Sequence, residues 1–300
     1  MYHKKVCLLI GDLPVTYASA YCLFGTVGVV GYYLIKGCDA LRIKLSLSGL
    51  ARKTLPRDHY HQLSGLIYAM LKEANPSFSE WLHDRGFEDN SKQFKFFCFS
   101  RLITHPSEVQ YLGEKKSEVH FITDNAALYI SSPVREFLEN LVSFLLTRSE
   151  IRLAGQLLRI ESALALGKQH FSESEAFKAV TPIILTKKVE EHTTPFYIRA
   201  YQTPEEFDDY LTRNAREKWR IYSGKQSDDL TLKCDKQYLQ RKGRSTACKI
   251  QIMPQEVMIG SIVPVTVTGS PEEVEFMYDV GLGQKNSFGM GMIEKIGIRY

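Results

Sequence analysis

Three hundred residues are enough for two modest domains with a substantial buried core. A formal net charge of only +4, with ordinary apolar and charged fractions, excludes a uniformly basic coat. Any nucleic-acid surface must therefore be a local patch. The six cysteines (Cys7, Cys22, Cys38, Cys98, Cys234, Cys248) form no Cys-x-x-Cys pair. That argues against a zinc knuckle, requires no disulfides and fits a reducing, cytoplasmic compartment.

Leu13 to Ile35 contains no charged residue and is flanked by His3, Lys4, Lys5 and Lys36. It is long enough for a membrane-spanning helix. No small-x-small cleavage site adjoins Lys36, which weakens a signal-peptide reading. A soluble extra element and an over-extended start are the other readings, so residues 1–40 are set apart as an apolar extension.

From Leu41, Ile43, Leu45 and Leu47 alternate with Arg42, Lys44, Ser46 and Ser48, a strand with one buried face. Asp58 is placed to cap a helix whose apolar stripe is Leu63, Leu66, Ile67, Met70 and Leu71. Tyr68 sits beside that stripe. Asn75-Pro76 breaks the helix, and Ser77-x-x-Glu80 reads as a capping box for a second one, ending at Gly86. Gln93–Ser100, Glu118–Asp124, Ala126–Ser131 and Ile151–Leu164 are predicted strands, with a helix after Ser132-Pro133. Strand, helix, strand, strand, helix, strand is the ferredoxin-like order.

The second half repeats it. A strand spans Ala176 to Lys188 with Pro182 early in it. Thr203-Pro204-Glu205-Glu206 and Ser270-Pro271-Glu272-Glu273 are matching helix starts. Leu230–Ile252 and Glu256–Thr268 are predicted to pair as a long hairpin. The expected fold class is α+β, two tandem ferredoxin-like (βαββαβ) domains over 41–170 and 175–300, with linkers at Gly167–Ser174 and a loop around Glu190–Thr194.

The helix from Pro271 to Val280 runs into Gly281-Leu-Gly283-Gln-Lys285-Asn286-Ser287-Phe-Gly289-Met-Gly291, followed by a predicted strand over Gly289 to Ile298. Peptide N–H groups around a lysine suit a phosphodiester; a glycine-rich turn that only packs is the plainer alternative. A Rossmann or Walker loop leaves a strand and opens a helix, the opposite order. Helix, glycine loop, strand near the C-terminus resembles the G-loop of the RAMP superfamily of CRISPR-associated RNA-binding proteins. The loop is most similar to that of its repeat-cleaving endoribonucleases, the sixth family of the Cas series, and the resemblance covers Leu41 to Ile298.

The resemblance implies metal-free cleavage of precursor RNA within its repeats. A ribose 2′-hydroxyl attacks the adjacent phosphorus, leaving 2′,3′-cyclic phosphate and 5′-hydroxyl ends. It places a tyrosine in the first helix, a histidine just beyond and a lysine opening the next strand. Leu66-Ile67-Tyr68, Leu82-His83-Asp84 and Lys95-Phe96-Phe97 match, with Lys92 as a second candidate cation. Such chemistry needs proton-transfer groups and a cation for the phosphorane. On residues alone, Tyr68 is equally a boundary aromatic, His83 a helix-end histidine and Lys95 an exposed strand residue. Lys225, Lys233, Lys236, Arg241, Lys242, Arg244 and Lys249 form a basic stretch, with 241–244 read as a hairpin tip and Tyr238 as a stacking residue. A solvated charge run is its plainer reading.

The expected RNA contacts are Lys233, Lys236, Arg241, Lys242, Arg244, Gly281, Gly283, Lys285, Asn286, Ser287, Gly289 and Gly291. No cofactor or metal is expected. Candidate partners are CRISPR repeat RNA, other effector-complex subunits, a second copy of the chain and, if residues 13–35 are native, a membrane. The alternative function is a non-catalytic RAMP subunit that holds guide RNA.

Overall fold

The computed structural model describes residues 7–10, 42–89, 92–189, 194–253 and 256–297. The apolar stretch Leu13–Ile35 and the end of the predicted last strand lie outside the described residues. Among the described residues, no helix is long and apolar enough to cross a membrane. The chain divides into two compact units, Met1–Trp81 with Leu102–Lys168, and Leu82–Arg101 with Gln169–Tyr300. The class is the expected one, α+β with tandem ferredoxin-like repeats.

In chain order the elements are β1 (Cys7–Ile10), β2 (Arg42–Ser48), β3 (Thr54–Pro56), α1 (Tyr60–Ala74), α2 (Pro76–Asp84), β4 (Phe87–Asp89), β5 (Lys92–Phe94) and β6 (Cys98–Phe99). Then come β7 (Val109–Leu112), β8 (Glu118–Phe121), β9 (Ala126–Ser131), α3 (Arg135–Thr147), β10 (Glu150–Leu153) and β11 (Gln156–Leu166). The second half holds β12 (Ser174–Ala179), β13 (Thr186–Lys187), β14 (Phe196–Tyr197), α4 (Pro204–Ser223), β15 (Thr231–Cys234) and α5 (Lys236–Lys242). It closes with β16 (Ala247–Met253), β17 (Glu256–Ser261), β18 (Val265–Thr268), α6 (Pro271–Val280) and β19 (Ile293–Lys295).

In the first unit β11, β2 and β9 run antiparallel side by side, with Arg42 opposite both Leu166 and Ser131. β1 adds a parallel edge to β11. The alternation read from Ile43, Leu45 and Leu47 holds, since all three are buried. α1 and α3 bury the predicted stripes Leu63, Leu66, Ile67, Met70 and Phe137, Leu138, Leu141, Leu145. The predicted single strand over 151–164 is instead two, β10 and β11, paired about a turn at Ala154 and Gly155. Two helix starts also differ. Asp58 lies in the preceding turn and α1 opens after His59 without a side-chain cap. α2 is capped by Asn75, whose Oδ1 accepts from the Phe78 amide at 3.1 Å, and not by Ser77.

In the second unit the sheet order is β15-β18-β12-β19, all antiparallel. Numbered by use, that is 2-3-1-4, the ferredoxin-like arrangement with α4 and α6 as its crossovers. Ser270 starts α6 as read: its Oγ accepts from the Glu273 amide, and Glu273 Oε2 accepts from the Ser270 amide at 2.7 Å. The long hairpin over 230–268 does not form. β15 leads into α5, capped by Asp235, whose Oδ1 accepts from the Tyr238 amide at 2.8 Å. β16 and β17 form their own shorter hairpin before β18 returns to the sheet. Arg241–Arg244 is therefore a helix C-terminus and the 3-10 turn after it.

Residues 82–101 join the second unit for a visible reason. Phe96 packs against Phe87, Phe94, Tyr222 and Phe276, with ring centroids 4.8–5.8 Å apart. Trp219 closes the group at 5.4 Å from Phe276. Lys92 is ion-paired with Glu217 at 2.6 Å, and Arg220 with Asp89. These contacts tie the β4–β5 hairpin to α4 and α6.

Candidate functional site

His83 occupies the last turn of α2, and Gly86 ends it at φ +65. A Cβ at Gly86 would lie 2.6 Å from the Phe94 carbonyl and 2.9 Å from Lys95 Cδ. Glycine thus makes room for the lysine stem. Lys95 Nζ reaches back to donate to the His83 carbonyl at 2.8 Å. Partial burial pulls the Lys95 ammonium below its usual range, while Asp84 and Glu88 act the other way. The His83 ring is largely exposed, with Nδ1 2.8 Å from Asp84 Oδ1. The structure therefore brings His83 and Lys95 together. Lys92, the second candidate cation, is occupied by Glu217.

Tyr68 lies on α1 in the first unit, half-buried, and its carbonyl accepts from Ser79 Oγ at 3.2 Å. Burial raises its hydroxyl well above the ordinary phenol range. Near neutral pH this group is an un-ionised hydroxyl, which hydrogen-bonds and does not serve as a phenolate base.

The glycine loop is braced from inside. The amides of Gly281, Leu282, Gln284, Gly289 and Gly291 donate to the carbonyls of Met277, Gly291, Ile184, Asn286 and Pro182. Gly291 has φ +72, and a Cβ there would collide with the Leu282 carbonyl. At Gly283, φ +69, a Cβ would meet the Ile184 carbonyl at 2.6 Å. Asn286 is buried, and its side-chain nitrogen donates to Leu282 and Met290 carbonyls at 3.1 and 2.9 Å. Its side chain faces into the loop. Lys285 is exposed in a left-handed conformation with Nζ 5.7 Å from the Phe288 ring centre, and Ser287 is half-buried.

The sequence reading missed Lys218. It lies on α4, fully buried, and donates to the Gly281 carbonyl at 2.9 Å and to Asn286 Oδ1 at 2.6 Å. Burial lowers its pKa to about 7, with Cys98 as a smaller opposing influence. Among charged neighbours Arg216, Glu217 and Arg220 it reads as a surface residue. Its signal was helical phase: Leu211, Ala215 and Lys218 fall at i, i+4, i+7 on the buried stripe.

Of the basic stretch, Arg241, Lys242, Arg244, Lys233 and Lys249 are exposed and make no ion pair among the described residues. Lys236 is paired with Glu205 at 2.8 Å on the surface. Tyr238 is half-buried. Among the described residues, no group of three or more His, Cys, Asp or Glu side chains is placed to hold a metal ion.

Two ferredoxin-like repeats, the second ending in helix, glycine loop and strand, define a RAMP-type protein. Two family models match, "CRISPR-associated protein Cas6, N-terminal" over residues 54–163 and "CRISPR associated protein Cas6, C-terminal" over residues 166–295. The chain belongs to the Cas6 family. It is 26% identical to CRISPR-associated endoribonuclease Cas6 1 of Methanocaldococcus jannaschii, over 86% of this chain and 94% of that one. It is 25% identical to CRISPR-associated endoribonuclease Cas6 of Pyrococcus furiosus, over 81% and 84%. A solved structure described as CRISPR associated protein Cas6 superposes with a TM-score of 0.62 at 25% identity, covering 86% of this chain and all of that one.

Proposed function

We propose that this chain is an endoribonuclease that cuts CRISPR precursor RNA within its repeats by 2′-hydroxyl attack on the adjacent phosphorus, without a metal ion. Membership of the Cas6 family and the endoribonuclease names of its relatives support the activity. The observation that carries the mechanism is the pairing of an exposed histidine with a lysine fixed beside it by a 2.8 Å bond. In the reaction, the 2′-oxygen bonds to phosphorus as its proton leaves, and the 5′-oxygen departs with a proton.

His83 is assigned the proton transfer. With Nδ1–H donating to Asp84, Nε2 is the nitrogen that takes up or gives up the proton. Lys95 is assigned the charge that accumulates on the phosphorane oxygens. Its partial burial strengthens that interaction relative to a solvated ammonium. Tyr68 contributes a neutral hydroxyl as a hydrogen-bonding group. Arg241, Lys242, Arg244, Lys233, Lys236 and Lys285, with Ser287, hold the phosphate backbone; Gly281, Gly283, Gly289 and Gly291, with Asn286, hold the loop in shape for that contact.

The test is single-turnover cleavage of repeat RNA in EDTA beside a binding titration. His83→Ala is expected to slow cutting by about 10²–10⁴-fold while RNA affinity stays nearly unchanged. A repeat carrying a 2′-deoxy sugar just upstream of the cut is expected to bind and stay whole. Tight binding with no cutting by the wild type would instead identify a guide-RNA-holding subunit.

A further inference from the structure

Lys218 is fully buried, and burying a charged group is costly unless it is hydrogen-bonded. It reaches two acceptors that belong to the start and the middle of one loop, the Gly281 carbonyl and Asn286 Oδ1. The first is the residue that ends α6, where carbonyls carry the negative end of the helix dipole. The second is the side chain that spans the loop to the Leu282 and Met290 carbonyls. Cys98 lies on the same side: its Sγ donates to the Asp279 carbonyl, and a Cβ at Gly281 would stand 3.2 Å from Cys98 Cβ. The loop is thus held from beneath by one lysine Nζ on a long helix, while Lys285 stands on its outer surface.

We infer that Lys218 is a positioning residue for RNA binding: it never meets the RNA, and it fixes the glycine loop so that Lys285 and Ser287 meet a phosphate. The inference rests on the RNA-cleaving reading for its ligand, but the loop geometry is testable without RNA. A buried group cannot displace counterions from a nucleic acid. Any effect of Lys218 on the salt dependence of binding must therefore pass through an exposed cation, and Lys285 is the one the loop carries.

The variants are Lys218→Gln, which keeps a neutral donor and needs no buried charge, and Lys218→Met. Hydrogen exchange of the free protein is expected to speed up across residues 281–291 in both, with β12 and β18 unchanged. With repeat RNA, Lys218→Met is expected to raise the Kd about tenfold, as expected when buried acceptors lose their donor. It should also lower the salt slope by about one counterion, the same change expected of Lys285→Ala. In a Lys285→Ala background, Lys218→Met should add less than about twofold, because both act on one contact. Unchanged exchange across 281–291 would overturn the inference whatever the RNA does. Additive losses with an unchanged salt slope would reduce Lys218 to a stabilising residue. If the wild type fails to bind repeat RNA, the functional reading fails, and the exchange measurement still decides the loop.

Discussion

The buried lysine makes a prediction about stability and pH. In the folded chain the Lys218 pKa falls from 10.5 to about 7 because burial disfavours the ammonium. In the unfolded chain it stays near 10.5. Below pH 7 both states are protonated and the burial penalty is fully present. Between pH 7 and 10.5 the unfolded state alone holds the proton, so stability rises with pH. The slope is one proton per molecule, about 1.4 kcal/mol per pH unit. Over the whole window it amounts to on the order of 5 kcal/mol. Lys218→Met removes this contribution, while Cys98, the ionisable group that acts on Lys218, is common to both proteins. The assay is urea unfolding followed by Trp219, which packs in the second unit, in a Trp81→Phe background. From pH 7.5 to 9.5 the wild type should gain about 3 kcal/mol relative to Lys218→Met, and below pH 6 the two curves should run parallel. Parallel curves throughout would mean that the lysine is not held out of water as described.

Three further outcomes follow from the site. Arg241→Ala with Lys242→Ala should weaken repeat-RNA binding and lower its salt slope by about two, with the cleavage rate at saturating RNA read separately. Gly291→Ala should be destabilising by more than about 1 kcal/mol in thermal unfolding, since a Cβ at φ +72 collides with the Leu282 carbonyl. Tyr68→Phe should slow single-turnover cleavage without altering its pH profile between 6 and 9, because the hydroxyl, raised by burial, is un-ionised throughout; an altered profile would reassign it as a titrating base.

What was legible in the sequence was what is local. The box at Ser270 and Glu273 names its own helix, and the alternation from Ile43 to Leu47 names a buried face. Competing local signals account for two misses. Asp58 looked like a cap, yet the turn runs one residue further, where His59 Nδ1 bonds to the Pro56 carbonyl. Asp235 and Gly243 bracketed a short helix with an N-cap and a C-terminal glycine, and the density of charge between them obscured it. Gly155 alone was too little to break the pattern from Ile151 to Leu164 into a hairpin. The motif residues Tyr68, His83 and Lys95 could be named from the chain. The bond from Lys95 to His83 and the burial of Lys218 could not, because they depend on which distant segments pack together.

Phe96 and its anchors also set an order of events during synthesis. The stretch bearing His83 and Lys95 leaves the ribosome early, but Tyr222 and Phe276, against which it packs, come much later. About 180 residues separate Phe96 from Phe276, and at roughly 5–20 residues per second that is a wait of about 10–35 s. During that interval a nascent chain has its histidine and lysine but not the aromatic seat that holds them. With His83 and Lys95 in the roles proposed for them, competence to cut RNA arrives only once α6 is made, so a polypeptide stalled or truncated before α6 is expected to be inert toward repeat RNA.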